Sequence, residues 1–244
     1  FQGSRGLGDV YKRQAVGIEA AKATVDRLGA RKINTANVPV LLHRDIASSL
    51  FGQYVGAISG GSLYRRSSFL LDSLGKQVFP EWLNIEERPF IKGGLASSSF
   101  DNEGVACSDM TIVDAGKLAT YLYTTYSSRK LNTRSNGHAG GIHNWLVGDT
   151  GHSDADLLKE MGTGLFVTEL MGQGVNGVTG DYSRGAAGYW VENGIIQYPV
   201  HEVTIAGNLK DMFKGIVAIG AEKDVRGSVQ TGSVLIDQMK IAGS

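Results

Sequence analysis

Histidines, one cysteine and several closely spaced glycines are the residues of this chain whose chemistry could serve a reaction. His43 stands in LLHRDIASSLFG, where an apolar strand gives way to a helical pattern. Zinc peptidases place a histidine ligand on a helix and follow it at once with a glutamate that activates the metal-bound water. Here Arg44 follows His43, and no second histidine occurs nearby. The segment therefore predicts a histidine at a helix start, with Asp45 as the N-cap.

A second group of histidines lies in the glycine-rich segment GHAGGIHNW. His138 and His143 are five residues apart, and His152 follows nearby. Loop histidines at this spacing could ligate a metal ion. The two glycines between them leave the backbone free, and the segment contains no Cys, Asp or Glu to complete three ligands. We therefore expect structural or solvent-facing roles, with His143 packing against Trp145.

Phosphate-binding and nucleophilic motifs are incomplete. GQGVNG fits the pattern G-x-G-x-x-G at Gly172, Gly174 and Gly177, but the residues that follow do not form a helical pattern. No lysine with a following Ser or Thr completes a Walker A motif. Cys107 has no histidine close in sequence to act as its base, and no G-x-S-x-G elbow occurs. These glycines are better explained as turns and bulges, and we expect no catalytic residue.

The composition excludes several classes of protein. The 24 Lys and Arg are balanced by 24 Asp and Glu, so the formal net charge is zero. This argues against direct nucleic-acid binding and against a polybasic membrane-surface protein. No apolar stretch is long enough to span a membrane, and no signal peptide is visible. A single cysteine fits a reducing compartment, so we expect the chain in the cytoplasm.

Helices and strands must position these residues. The apolar spacing predicts helices at 15–28, from Asp45 to about residue 58, at 67–74, at 154–161 and from Asn208 to Gly220. It predicts strands at 39–43, over most of 83–123, and at 164–170, 187–192, 195–198, 200–205 and 233–242. Asn193-Gly194 is a strong hairpin signal. Strands outnumber helices and rarely alternate with them, which favours a mainly antiparallel α+β domain.

Residues 1–14, FQGSRGLGDVYKRQ, show no helical or strand period. They look like a cloning or read-assembly scar, and we leave them out of the fold. This also implies that the native chain began earlier and that the remainder is its C-terminal part.

Several stretches together resemble the C-terminal domain of the TldD/PmbA family, and its PmbA (TldE) branch most. They are LFGQYVGAISGGSLYRRSSFLLDSLGKQV, GLASSSFDNEGV, GHAGGIHNW, LLKEMGTGLFVTELMGQGVNGVTGDYSRGAAGYWVENGIIQYPV and TIAGNLKDM. The resemblance implies that residues 15–36 are a helix left from a preceding N-terminal domain. It implies that residues 37–244 form a β-sandwich or barrel-like domain, mainly antiparallel, with several packed helices.

The resemblance also implies a role. The TldD branch is a zinc metallopeptidase with H-E-x-x-x-H at this strand-to-helix junction and a further Cys ligand near the C-terminus. Carried over, these four positions fall on His43, Arg44, Ser48 and Thr231, so one of the four metal-site residues remains. The resemblance therefore implies a non-catalytic subunit with no metal or cofactor of its own. Its partner would be a TldD-like subunit that carries zinc, in a heterodimer that cleaves unfolded or leader peptides.

An extended peptide would be held at a sheet edge through backbone hydrogen bonds. Glycines allow a close backbone approach, and the positions we expect to contact peptide are Gly140, Gly141, Gly172 and Gly174.

Two alternatives remain open at this point. The chain could be a metallopeptidase in its own right through a degenerate site of His43, Asp45 and one of His138, His143 and His152. The family also carries the label "modulator of DNA gyrase", although the zero net charge gives no support for direct contact with DNA.

Overall fold

Two β-sheets and six helices make up residues 10–243, the part of the chain that the computed structural model describes. The helices are α1 (Val10–Val25), α2 (Arg44–Ile58), α3 (Gly60–Tyr64), α4 (Thr125–Lys130), α5 (Asp154–Met161) and α6 (Leu209–Lys214). The strands are β1 (Ala36–Leu42), β2 (Ile85–Glu87), β3 (Met110–Asp114), β4 (Lys117–Leu118), β5 (Trp145–Val147), β6 (Gly164–Met171), β7 (Asp181–Glu192), β8 (Ile195–Asn208), β9 (Ile216–Ile219), β10 (Val229–Gln230) and β11 (Val234–Ala242).

The larger sheet closes on itself. Its strands pair in the ring β1–β6–β7–β8–β11 and back to β1. β9 pairs with residues 234–236 of β11, and β8 pairs with residues 240–242 of the same strand. Among the described strands of this sheet, β1 and β6 are the pair that runs parallel, with Val40 opposite Leu165. Closure leaves the ring strands without free edges, because each pairs on both sides. This barrel holds β1, and therefore the start of α2, in a fixed position.

The smaller sheet has the order β10–β5–β2–β3–β4, so β10 and β4 are its edges. β2 lies in its centre, antiparallel to both β3 and β5, and Glu87 is directly opposite Trp145. The main core lies between the two sheets and α2. Tyr54 of α2 packs there with ring centroids 4.9 Å from Phe79 and 5.7 Å from Phe213. The Tyr54 ring also lies 6.0 Å from that of Trp145 in β5, so this packing holds α2 against α6 and the smaller sheet.

Local sequence signals explain several elements. Asn193 and Gly194 adopt φ of 52° and 74°, as a type I′ hairpin turn requires, and join β7 to β8. Ser153 accepts the backbone N–H of Asp156, whose side chain accepts in return, so α5 begins with a capping box. The predicted helix 154–161 and the predicted hairpin are both confirmed.

The predicted fold class is also confirmed, since the domain is α+β, mainly antiparallel and barrel-like. Among residues 10–243, none of the helices combines the length and the apolar character that crossing a membrane requires. Residues 1–9 lie outside the described part of the chain. The first helix begins at Val10, inside the segment assigned to a scar, and ends at Val25. The proposed domain boundaries remain predictions.

Other boundaries differ for identifiable reasons. Gly60 does not end a helix but begins α3, and a Cβ there would lie 2.4 Å from Ser127 Oγ, so the glycine serves close packing. The segment 67–74 forms turns, and 83–123 contains only three short strands. The last helix, α6, ends at Lys214, and β9 occupies the residues predicted to continue it. The apolar residues of a buried strand and of a helix cannot be told apart over so short a run.

Candidate functional site

The junction between β1 and α2 holds His43 at the helix N-cap. Its φ of −60° and ψ of 146° are extended, and its Nδ1 accepts the backbone N–H of Asp45 at 3.4 Å. The prediction that Asp45 is the cap is therefore wrong, because an imidazole nitrogen can fill the same acceptor role. The ring stands edge-on to Phe166, with centroids 5.8 Å apart. The imidazole is thus held by the helix start and by β6.

Ion pairs surround this histidine. Arg44 bonds to Glu222 and lies 3.9 Å from Asp154, and the contact with Glu222 raises the pKa of Arg44. Asp45 pairs with Arg226, which also bonds to Asp224 at 2.8 Å. The charges beside His43 are therefore already engaged with opposite charges.

The other two motif positions carry hydroxyls. Thr231 is fully buried, and its Oγ1 donates to the Gly232 carbonyl at 3.2 Å. The backbone N–H of Arg44 donates to Ser233 Oγ at 3.0 Å, so the segment that contains Thr231 does lie against the helix start. Zinc in proteins takes thiolate, imidazole or carboxylate ligands. One imidazole with a guanidinium and two hydroxyls does not fit a zinc ion.

A groove of about 450 Å³ lies beside the exposed side of α2. Its walls come from α2, from the glycine-rich segment before β5 and from the segment that leads into the edge strand β10. The lining residues are Ser48, Ser49, Gly52, Val55, Gly140, Gly141, Ile142, Gly227, Ser228 and Val229. Four glycines and three serines leave much backbone accessible, which suits an extended chain.

Two of the four glycines expected to contact peptide line this groove, namely Gly140 and Gly141. The other two lie elsewhere, after the end of β6. A Cβ on Gly174 would lie 1.9 Å from the Ser183 carbonyl oxygen, so this glycine permits a close approach within the chain itself. Gly172 has a φ of 77°, which marks a turn. The peptide-binding role of all four remains a prediction.

The segment that carries His138 and His143 brings both rings to one carboxylate. Glu87 Oε1 lies 3.0 Å from His138 Nε2 and 3.1 Å from His143 Nδ1. The Trp145 indole N–H donates to Oε2 of the same carboxylate at 2.6 Å. Glu87 is 1% exposed, His138 5% and His143 8%. The free loop that the two glycines predicted is therefore an ordered, buried cluster.

Burial by itself would raise the pKa of Glu87, but the contacts with His138, Trp145 and His143 outweigh it and hold the pKa below its usual range. Cys107 also lies in this region, with Sγ 3.5 Å from His143 Nε2. Burial raises the pKa of this thiol, and the carboxylates of Asp101 and Glu87 add to the effect. The geometry brings a histidine to Cys107, while the local charge keeps the thiol protonated.

His152 does not join this cluster. It contacts Thr150 at 2.7 Å and lies 3.7 Å from Glu160. Within residues 10–243, the ligand atoms of Glu87, His138 and His143 form the group of three that converges within 4.8 Å, and His43 and Asp45 share no such group.

Sequence reasoning missed Glu87 because it lies 51 residues before His138. A signal was present in the strand period. Side chains at 85 and 87 face the same side of a strand, and Ile85 is apolar, so Glu87 had to share a buried face. A carboxylate on a buried face needs partners, and nearby histidines are suitable ones.

Comparisons with known proteins identify the family of the chain. Residues 35–243 match the model of the PmbA/TldA metallopeptidase C-terminal domain. Metalloprotease PmbA of Escherichia coli O157:H7 is 56% identical over 239 residues, which are 98% of this chain and 53% of that protein. The Metalloprotease PmbA homolog of Haemophilus influenzae is 57% identical over 231 residues, 94% of this chain and 51% of that protein. The chain thus spans about half the length of these relatives.

Solved structures share the fold. A candidate modulator of a DNA gyrase from Thermotoga maritima has a TM-score of 0.87 at 32% identity, covering 94% of this chain and 55% of that one. TldE from Thermococcus kodakarensis has a TM-score of 0.83 at 20% identity, with the same coverage of 94% and 55%, which shows likeness of fold alone. Because the family model covers most of its length and these two relatives are more than half identical to it, this chain belongs to the PmbA/TldD metallopeptidase family.

Proposed function

We propose that this chain is a non-catalytic, PmbA/TldE-like subunit of a heterodimeric zinc metallopeptidase, and that a TldD-like partner holds the zinc. One observation carries the proposal. At the helix start, where a zinc peptidase needs its base, Arg44 is tied to Glu222 and Asp154. A catalytic zinc site needs three protein ligands and a water, and His43 supplies one ligand. Without the metal there is no activated water to attack a peptide bond.

We expect such a subunit to bind the peptide substrate in the groove beside α2. Val229 of the edge strand β10 lines it, together with Gly140 and Gly141. An extended peptide beside a strand edge is recognised through its backbone, with little dependence on its side chains. This favours unfolded or leader peptides as substrates of the complex. The balanced net charge favours no direct contact with DNA, and the single, buried Cys107 is in keeping with work in the cytoplasm.

Reconstitution tests the proposal. The full-length form of this chain and a TldD-like subunit are purified separately, and each is assayed alone and mixed on an unstructured fluorogenic peptide. We expect co-purification of the two, no cleavage by this subunit alone, and chelator-sensitive cleavage by the mixture. The variant His43→Gln should change the rate of the mixture by no more than about threefold, because His43 has no catalytic role in this proposal. Loss of a general acid or base would lower the rate by about 10²–10⁴-fold.

Chelator-sensitive cleavage by this subunit alone, abolished by His43→Gln, would contradict the proposal and favour a degenerate His43 site. Failure of the two chains to associate or to cleave together would also contradict it.

A further inference from the structure

The buried cluster in the second sheet leaves one imidazole nitrogen without a hydrogen-bond partner. Asn136 Oδ1 accepts the backbone N–H of Tyr123 at 2.7 Å, and Asn136 Nδ2 donates to the Tyr121 carbonyl at 2.8 Å, so the amide orientation is fixed. The same Oδ1 lies 2.9 Å from His138 Nδ1, which must therefore carry a proton. In the neutral ring, Nε2 then has a free lone pair.

That nitrogen lies near a carboxylate without forming a hydrogen bond to it. His138 Nε2 lies 3.0 Å from Glu87 Oε1, yet it has no partner in hydrogen-bonding geometry, and the side chain is only 2% exposed. A buried nitrogen without a partner is costly unless something binds it.

His143 repeats the arrangement from the other side. Cys107 Sγ lies 3.9 Å from the Gly137 carbonyl oxygen, toward which the thiol can donate, and 3.5 Å from His143 Nε2. Without a metal, His143 Nδ1–H donates to Glu87 Oε1 at 3.1 Å. With the ring proton on Nε2 instead, directed at the sulfur, the Nδ1 lone pair is free to bind a cation beside the same oxygen. The second carboxylate oxygen of Glu87 is already bonded to the Trp145 N–H. Each of the three side chains thus has a further hydrogen-bond partner on the side away from the shared carboxylate oxygen, as metal ligands in proteins do.

The buried negative charges near the cluster also favour a bound cation. Glu87 and Asp101 are 1% and 4% exposed, and within residues 10–243 neither forms a salt bridge with a lysine or an arginine. Asp101 is instead bonded to the backbone N–H groups of Glu103, Val105 and Ala139. Two buried carboxylates without a permanent cation suit a doubly charged ion.

We propose that Glu87 Oε1, His138 Nε2 and His143 Nδ1 bind a zinc(II) ion, in a site that shares no residue with the His43 junction. Two imidazoles and a carboxylate form a set of ligands that zinc accepts. Zinc–nitrogen distances of about 2.0–2.1 Å place tetrahedral ligand atoms about 3.3 Å apart, so the observed 3.0 and 3.1 Å need to open by only a few tenths of an ångström. The ion would tie the segment that carries both histidines to β2.

Zinc content tests this inference independently of peptidase activity. The full chain is stripped with a chelator, equilibrated with buffered zinc and assayed for bound metal. We expect one zinc per chain, and visible absorption bands of four-coordinate cobalt(II) when cobalt replaces zinc. Glu87→Gln, His138→Gln and His143→Gln should each lower the affinity by more than the roughly 10–100-fold typical of losing a ligand's supporting partner. Cys107→Ala removes such a partner and should fall within that roughly 10–100-fold range.

Two histidine variants serve as matched controls. His152→Gln and His43→Gln should keep the full zinc content, because neither ring belongs to the cluster. If the cluster variants fail to fold, histidine NMR of the unaltered chain decides, since zinc should shift only the His138 and His143 rings. An absence of zinc binding by the unaltered chain at micromolar zinc would overturn the inference and leave a proton-bridged ion pair. Equal loss of zinc in His43→Gln would overturn it as well.

Discussion

Two of the histidine-bearing regions of this chain differ in which ligand atoms their neighbours leave without a hydrogen-bond partner. At the start of α2, Arg44 and Asp45 beside His43 are both tied up in ion pairs with the 222–226 segment. In the smaller sheet, His138 and His143 converge on one oxygen of Glu87 while their other nitrogens have partners directed outward. The first region matches a metal motif by position, and the second matches a metal site by geometry.

The difference shows that residue types at a given spacing do not define a metal site. What defines it is which lone pairs remain after the surrounding hydrogen bonds are made. His43 uses Nδ1 to cap a helix. His138 has its Nδ1 fixed by Asn136, and its Nε2 is left without a partner.

Removing the shared carboxylate should have the largest effect. Glu87→Ala leaves the Trp145 indole N–H buried and unpaired, and it removes the carboxylate that lies beside two buried imidazoles. We expect a loss of about 3–5 kcal/mol in the free energy of unfolding, as for breaking a buried pair from one side. Urea unfolding of the chain at pH 7 measures it.

Glu86→Ala is the matched control for this change. Glu86 is on the same strand, faces the other way and pairs with Arg88 at the surface, so its removal should cost less than about 1 kcal/mol. Equal effects of the two variants would show that the buried cluster is not distinct from a surface pair.

Loosening the segment that carries the histidines should have the next largest effect. Asp101→Ala removes the acceptor of three backbone N–H groups, among them that of Ala139, which lies between His138 and the two glycines. We expect a loss of about 1.5–3 kcal/mol at pH 7. Asp109→Ala, at an exposed ion pair with Arg88, should cost less than about 1 kcal/mol.

The stability lost in Asp101→Ala should depend on pH, and the direction of this dependence follows from the pKa of Asp101. Burial favours the neutral acid, but the backbone N–H groups of Ala139, Val105 and Glu103 outweigh it and lower the pKa of Asp101. A lowered pKa gives stability that is complete above the unfolded value of about 3.9 and is lost as the pH falls through the folded value. The difference in unfolding free energy between the unaltered chain and Asp101→Ala should therefore shrink from pH 7 to pH 3. A constant difference would contradict the role of the carboxylate charge.

The groove lies between α2 and the segment that carries His138 and His143, and filling it should have a moderate effect on peptide binding. Gly52 is an exposed position of α2 with open space around its Cβ direction, and it lines the groove. In the reconstituted complex, Gly52→Tyr should raise KM for an extended peptide about tenfold, or ~1.4 kcal/mol. Gly56→Tyr, equally open on the same helix but outside the groove, is the control. A similar KM for both variants would mean that peptide does not lie there.

The smallest effect is expected at the junction itself. Arg44→Ala breaks surface ion pairs with Glu222 and Asp154, which should cost less than about 1 kcal/mol in unfolding free energy. Thermal unfolding at low and high salt measures it, and the difference should diminish with salt. A cost comparable to that of Glu87→Ala would remove the contrast between the two regions.

The sequence predicted best where the signal is local. Ser153 and Asp156 form a capping box within four residues, and Asn193-Gly194 requires positive φ, so α5 and the long hairpin followed directly. The barrel-like, mainly antiparallel fold could also be predicted, in part through the resemblance to a family.

The second cluster could not be predicted in this way. Its carboxylate comes from β2 and its thiol from residue 107, both far along the chain from the histidines. Two glycines suggested a mobile segment, but Asp101 and Asn136 fix it through hydrogen bonds that only the tertiary fold brings about. Sequence spacing also missed α4. It assigned the cap of α2 to Asp45 and not to His43, because the side chains of both residue types can accept a backbone N–H at a helix start.

Anomalous scattering at the zinc absorption edge, from crystals of this chain grown with zinc, tests the contrast between the two regions most directly. We expect one strong peak within bonding distance of Glu87, His138 and His143, and no peak beside His43. A peak at the His43 ring, or the absence of a peak at the buried cluster, would contradict it.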